Sequence, residues 1–211
     1  MSKPTFVMIE GGEGSGKSTL IENLEKKYPG ALFTREPGGT PMAEELRELL
    51  ITNELDDEAA LWGFFCARFE HVKKLILPAL REGRDVFTDR FSLSTYAYQV
   101  FGSPDQAHHE AFDFAQQRIM EMIHEYATVH LVMLWVDPVV GLERACGRGE
   151  DLSGFDQADL PFHQKVFAGM REGINEHFYD YENLELDTGK LGQKEVFSQT
   201  VNFLESLKAA A

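Results

Sequence analysis

Between a run of strand formers, Thr5-Phe6-Val7-Met8-Ile9, and a helical pattern that begins Thr19-Leu20-Ile21-Glu22-Asn23-Leu24, the chain reads Gly11-Gly12-Glu13-Gly14-Ser15-Gly16-Lys17-Ser18. The spacing is G-x-x-x-x-G-K-S, and its place between strand and helix separates a phosphate-binding loop from a chance match. Glycines let the backbone turn tightly enough for successive N–H groups to face phosphate oxygens. The helix start adds its partial positive charge at the same point. Gly11, Gly12, Glu13, Gly14, Ser15, Gly16, Lys17, Ser18 and Thr19 are therefore the candidate nucleotide-binding residues. Lys17 is read as an exposed loop cation that bridges phosphate oxygens, and the Ser18 hydroxyl as a ligand of Mg²⁺. The stretch predicts a bound nucleoside triphosphate.

The length of 211 residues fits one α/β domain with a full core. The longest apolar runs fall well short of the roughly 18 residues that span a bilayer. Met1-Ser2-Lys3-Pro4 leads straight into a strand and leaves no room for a signal peptide. Cys66 and Cys146 have neither metal-type nor redox-type spacing. The expectation is a cytoplasmic protein with reduced thiols and no membrane association. A net charge of −15 argues against a nucleic-acid partner, which would need a basic surface. Lys17, Arg35, Arg68, Arg90, Arg144 and Arg148 nevertheless sit beside segments of functional character, as suits a basic cleft for a small phosphorylated substrate.

Apolar runs at 5–9, 31–33, 85–88, 129–136 and 184–186 alternate with helical patterns. The helical stretches are 57–82, ending at Pro78 to Gly83, then 105–127, 139–147, 159–181 and 192–208. This alternation predicts an α/β fold, a parallel five-stranded sheet covered by helices on both faces. Ligands of such sheets gather at the carboxyl ends of the strands. Four segments fall there: the glycine loop, Arg35-Glu36-Pro37-Gly38-Gly39-Thr40, Asp89-Arg90 and Asp137-Pro138. Asp137 reads as a helix cap.

Asp89 at a strand tip beside a phosphate loop is placed to hold Mg²⁺, and Arg90 to grip a phosphate in bidentate fashion. In Arg35 to Thr40, proline stiffens and two glycines permit close approach, although an ordinary turn reads the same way. Phe64 and Arg68 lie four apart on one helix face, where a ring and a guanidinium can stack on and hydrogen-bond a base; Phe65 and Phe69 read as core, and on the residues alone so does Phe64. His108 and His109 point about 100° apart on a helix, so they read as a solvated polar face, and His163 reads as structural.

Four pieces in this order are similar to the bacterial thymidylate kinase family: I-E-G-x-E-G-x-G-K-S at 9–18, T-R-E-P-G-G-T at 34–40, F-x-x-x-R at 64–68 and D-R-F-x-x-S-T-x-A-Y-Q at 89–99. The second half matches through Leu134 to Pro138, Gly141-Leu142-x-Arg144, Arg148-Gly149 and Phe155 to His163. The resemblance implies a single P-loop nucleoside monophosphate kinase domain over 1–211, with a lid near 148–157. It also implies a homodimer that transfers the γ-phosphoryl of ATP to dTMP with Mg²⁺.

The resemblance further implies stacking for Phe64, a base-edge contact for Arg68, a pyrimidine hydrogen bond for Thr95 and crowding of a 2′-hydroxyl by Tyr98. Arg35 and Arg90 match phosphate-binding positions, Pro37 a contact near the thymine methyl, and Glu13 an acid near the 3′-hydroxyl. Arg47 and Gln99 match less closely. The family's second lid arginine falls on Gly154 here, which puts transition-state charge on Lys17, Arg90 and Arg148, with Arg144 behind. A kinase for another small nucleotide or nucleoside is the nearest alternative. A regulatory nucleotide switch is further off, because the guanine motif N-K-x-D is absent.

Overall fold

The computed structural model describes residues 3–147, 158–178 and 180–210. Five strands form one sheet: β1 (Thr5–Gly11), β2 (Leu32–Arg35), β3 (Val86–Asp89), β4 (Thr128–Trp135) and β5 (Glu182–Asp187). Their order is β2-β3-β1-β4-β5, and every pairing is parallel. Each strand falls on one of the five apolar runs.

Side chains alternate across the sheet with period two. Phe6 and Met8 of β1 and Leu131 and Met133 of β4 enter one core. Val7 and Ile9, with Val132 and Leu134, enter the other. Burial on both faces is what gives these strands continuous apolar sequence, and each such side chain contributes about 1.5–3 kcal/mol on leaving water.

The helices are α1 (Lys17–Lys27), α2 (Pro41–Thr52), α3 (Asp57–His71), α4 (Leu77–Arg81), α5 (Ser92–Thr95), α6 (Gln106–His124), α7 (Pro138–Cys146), α8 (Leu160–His177) and α9 (Gln193–Ala210). The expected single helix over 57–82 is interrupted by a π-helical turn at Val72–Ile76. Pro78 has no N–H and crowds the carbonyl of Lys74, one turn back, so the helix widens there. A second π-helical turn, Tyr96–Val100, extends α5. Helices at 41–52 and 92–100 were not among the expected stretches. The start of α2 carries its own signal, since Thr40 accepts from the Ala43 N–H and Pro41 opens the helix. Asp137 caps α7 as expected, accepting from the Val139 N–H.

Candidate active site

The glycine loop joins β1 to α1 at the carboxyl edge of the sheet. Lys17, expected as an exposed loop side chain, is instead buried, and its ammonium donates to the carbonyls of Gly11 and Gly12 at 2.9 and 3.1 Å. Burial, reinforced by the charge of Arg90, pulls its pKa down to about 8. The loop is braced by Ser15, whose hydroxyl donates to Gly12 O. Helix α7 presses on it from the far side: a Cβ on Gly141 would run into the Glu13 carbonyl, and one on Gly14 into the Gly141 carbonyl. Ser18 is exposed at the start of α1.

Asp89 ends β3 opposite Ile9 of β1, close enough for its charge to act on Lys17. Its Oδ1 is buried with no hydrogen-bond partner among the described residues. A carboxylate oxygen accepts only, so such an atom fits a cation or its water shell.

Arg90 follows in the left-handed region, at φ 66°. For a side chain of this size that conformation costs about 1–3 kcal/mol, and it persists where the surroundings over-determine it. Here the Arg90 N–H donates to Ile9 O at 3.0 Å and the Thr88 hydroxyl donates to Arg90 O at 2.8 Å. The guanidinium reaches Gly11 O at 3.3 Å and Ser94 Oγ at 3.2 Å, and lies 3.9 Å from a Glu13 carboxylate oxygen.

Glu10, quoted in the first motif without a role, organises this corner. Fully buried in β1, it accepts from the N–H groups of Phe91 and Ser94 at 2.7 and 3.2 Å and from the Ser94 hydroxyl at 2.6 Å. It therefore caps α5, whose own N-cap residue, Phe91, supplies no side-chain bond. Burial pushes its pKa up against the opposing pull of these bonds and Arg90. The signal was a carboxylate closing an apolar strand of a two-sided sheet, tolerable only with partners.

A cavity of about 170 Å³ opens beside this corner. Arg35, Pro37, Arg47, Phe64, Arg68, Arg90, Thr95, Tyr98 and Gln99 all line it, together with Glu36, Ile51, Asp89, Phe91 and Ser94. Arg47 donates to Pro37 O at 2.9 Å. Its pKa is lowered by burial and by the charges of Arg35 and Arg90, which marks three guanidinium groups within electrostatic reach of one another. Arg35 is paired with Glu44 at 2.8 Å. Elsewhere in the cavity, Arg68 donates to Thr95 Oγ1 at 2.8 Å.

Arg144, placed behind Arg148 for transition-state charge, is held at a different cavity. It contacts Gly14 O at 3.5 Å and Thr188 O at 3.0 Å, in a hollow of about 450 Å³ lined also by Thr19, Asn23, Gly192 and Gln193. Arg148, Gly154 and the expected lid at 148–157 lie outside the described residues. His108 does not belong to a solvated face: it is buried, with Nδ1 2.8 Å from Ser103 Oγ. His163 is buried beside the ring of Phe162.

The family model for thymidylate kinase matches residues 9–198. The chain belongs to the thymidylate kinase family. As a member it is an ATP-dependent phosphotransferase that phosphorylates dTMP. The thymidylate kinase of Teredinibacter turnerae is 38% identical over 81% of this chain and 84% of that protein. That of Magnetococcus marinus is 38% identical over 76% and 78% of the two chains, and that of Wolbachia pipientis 37% over 79% and 83%. A solved thymidylate kinase from Ehrlichia chaffeensis aligns over 96% of this chain and 99% of its own, with a TM-score of 0.64 and 24% identity, a likeness of fold.

Proposed function

We propose that this thymidylate kinase binds dTMP in the cavity between α3 and the Asp89–Thr95 turn. The pyrimidine lies on Phe64 with its edge at Arg68 and Thr95, and the phosphate lies among Arg35, Arg47 and Arg90. The observation that carries this reading is the division of one cavity into an aromatic, hydrogen-bonding part and a part ringed by three arginines. Pro37, Tyr98 and Gln99 complete the wall, and Glu13, whose carboxylate lies 3.9 Å from the Arg90 guanidinium, is the acid assigned to the sugar hydroxyl. ATP then lies with its phosphates on the loop from Gly11 to Thr19 and its base in the hollow beside Arg144, whose flat guanidinium suits stacking on a purine.

The attacking group is a phosphate oxygen already carrying charge, so no general base is needed; positioning and charge neutralisation suffice. Arg90 lines the acceptor cavity and also reaches Gly11 O of the loop, which supports a role for it toward both phosphates. Lys17 stands over the loop with its ammonium on two carbonyls that a triphosphate would replace as partners. Ser18 and Asp89 are the residues that would hold Mg²⁺, which supplies charge neutralisation between donor phosphates.

We assign the enzyme to the cytoplasm, a reading supported by two exposed free thiols, Cys66 and Cys146, which suit a reducing compartment. The whole chain acts as one kinase domain, and as a homodimer. Exposed apolar side chains on three helices support the dimer: Leu49 of α2 is 58% exposed, Trp62 of α3 42% and Phe114 of α6 70%.

The test of the acceptor site is Phe64→Ala. A stacking ring contributes about 1–3 kcal/mol to base binding, so KM for dTMP rises roughly 5- to 150-fold while KM for ATP stays put. A folded variant with unchanged dTMP KM contradicts the placement.

A further inference from the structure

Tyr98, the wall residue assigned to the sugar, is held in place by side chains from two other parts of the fold. It sits in the π-helical turn Tyr96–Val100, closed by the Phe101 N–H donating to Tyr96 O at 2.8 Å. The wider turn sends Tyr96, Ala97 and Val100 into the core and leaves Tyr98 and Gln99 on the cavity wall. A tyrosine on an open wall has several staggered side-chain wells to choose from. One fixed ring position therefore needs contacts from more than one side.

Two neighbours supply them. The Arg90 guanidinium lies 5.5 Å from the centre of the Tyr98 ring. The Phe162 ring lies 5.8 Å from it, inclined at 69°, an edge-to-face contact. Phe162 stands outside the described residues that line the cavity, so its influence on a bound nucleotide passes through Tyr98.

The placement of Phe162 is built into α8. Asp159 caps that helix and accepts from the Phe162 N–H at 3.1 Å, and Pro161 falls in the first turn. Further along, Gly169 and Gly173 bring the helix backbone against the stretch from Ser92 to Phe101. A Cβ on Gly169 would come within 2.9 Å of Ala97 Cα and of the Phe101 side chain. One on Gly173 would come within 2.8 Å of the Leu93 and Tyr96 side chains. Val166 and Met170 of the same helix are buried in the core. The helix is firmly seated, and Phe162 with it.

We propose that Phe162 is a positioning residue for sugar selection. Its ring keeps Tyr98 against the place where a 2′-hydroxyl would lie, so the preference for deoxyribose depends on a side chain that touches no substrate atom. Without Phe162 the Tyr98 ring turns into the vacated space, and a ribose gains the room it lacked. The device is steric and works against the wrong substrate rather than for the right one. The inference rests on the placement of dTMP in this cavity with its sugar at Tyr98.

A double-mutant cycle separates positioning from bulk. The readout is the selectivity R, the kcat/KM of dTMP divided by that of ribothymidine 5′-monophosphate, which has the same base and one more hydroxyl. R compares two substrates on one enzyme, so a smaller folded fraction cancels. Phe162→Ala lowers R by about 2- to 12-fold, the range an aromatic edge contact carries. Tyr98→Ala lowers R by more, and adding Phe162→Ala to it lowers R no further. Phe167→Ala removes an equal ring from the same helix, where it packs on Trp135 at 5.0 Å, and keeps R. If Phe162→Ala fails to fold, Phe162→Leu, which keeps bulk without the ring, replaces it with the same outcomes expected. An unchanged R in the Phe162 variant, an equal fall in Phe167→Ala, or a further fall in the double variant overturns the proposal. If Tyr98→Ala itself keeps R, the sugar assignment beneath it fails, and the proposal with it.

Discussion

Lys17 is buried in its own loop, and that changes what its charge does. With the pKa pulled to about 8 from an ordinary 10.5, the unfolded chain binds more protons than the folded one between those values. Stability contributed by this group therefore rises with pH across that window and is at its lowest below it, where the buried ammonium is charged. A bound triphosphate favours the ammonium and restores the proton. ATP binding at pH 8.5 is accordingly expected to take up a fraction of a proton that is absent at pH 7, and affinity to weaken as pH rises through 8. Calorimetry in two buffers of different ionisation enthalpy reads this, with Lys17→Ala as the blank. Equal uptake by wild type and blank at pH 8.5 contradicts it. The loop and the charged tips Arg35, Asp89 and Arg90 were legible because their chemistry is local to a few residues. Glu10, Glu36 and His71 were not: their role depends on partners 32 to 84 positions away, such as Arg68 for Glu36 and Ser94 for Glu10.

Among the elements, all five strands stood out as apolar runs because a two-sided parallel sheet writes itself into composition. Helix α2 and the α5 turn did not stand out. Helix α2 exposes Met42 and Leu49, which blurs its apolar pattern, while α5 is one short turn that places Leu93 in the core and is capped from β1 instead of by its own residues. The contact between α7 and the loop was also hidden, since Gly141 shows its reason only against Glu13 and Gly14. Gly141→Ala is expected to push α7, and Arg144 with it, off the loop. Overpacking of this kind costs about 1–3 kcal/mol, so Tm falls and KM for ATP rises, with KM for dTMP little changed. A variant with wild-type Tm and ATP KM removes the proposed coupling of α7 to the donor site.

At the scale of the whole molecule, an acidic chain concentrates its arginines around one cavity at the carboxyl edge of the sheet, and leaves apolar side chains exposed on α2, α3 and α6. If those helices carry the dimer, Phe114→Asp places a charge in an apolar interface, and sedimentation at micromolar concentration shows a shift to monomer; an unchanged sedimentation coefficient contradicts the interface. Steady-state ADP release against a panel of nucleoside monophosphates tests the acceptor cavity most directly. The account predicts strong stimulation by dTMP. Next comes dUMP, since a lost methyl contact costs only about 1–3 kcal/mol, and ribonucleotides fall far behind under the proposed role of Tyr98, which lines the cavity, in crowding a 2′-hydroxyl. UMP or CMP outperforming dTMP at equal concentration, or ADP release indifferent to any acceptor, would contradict it.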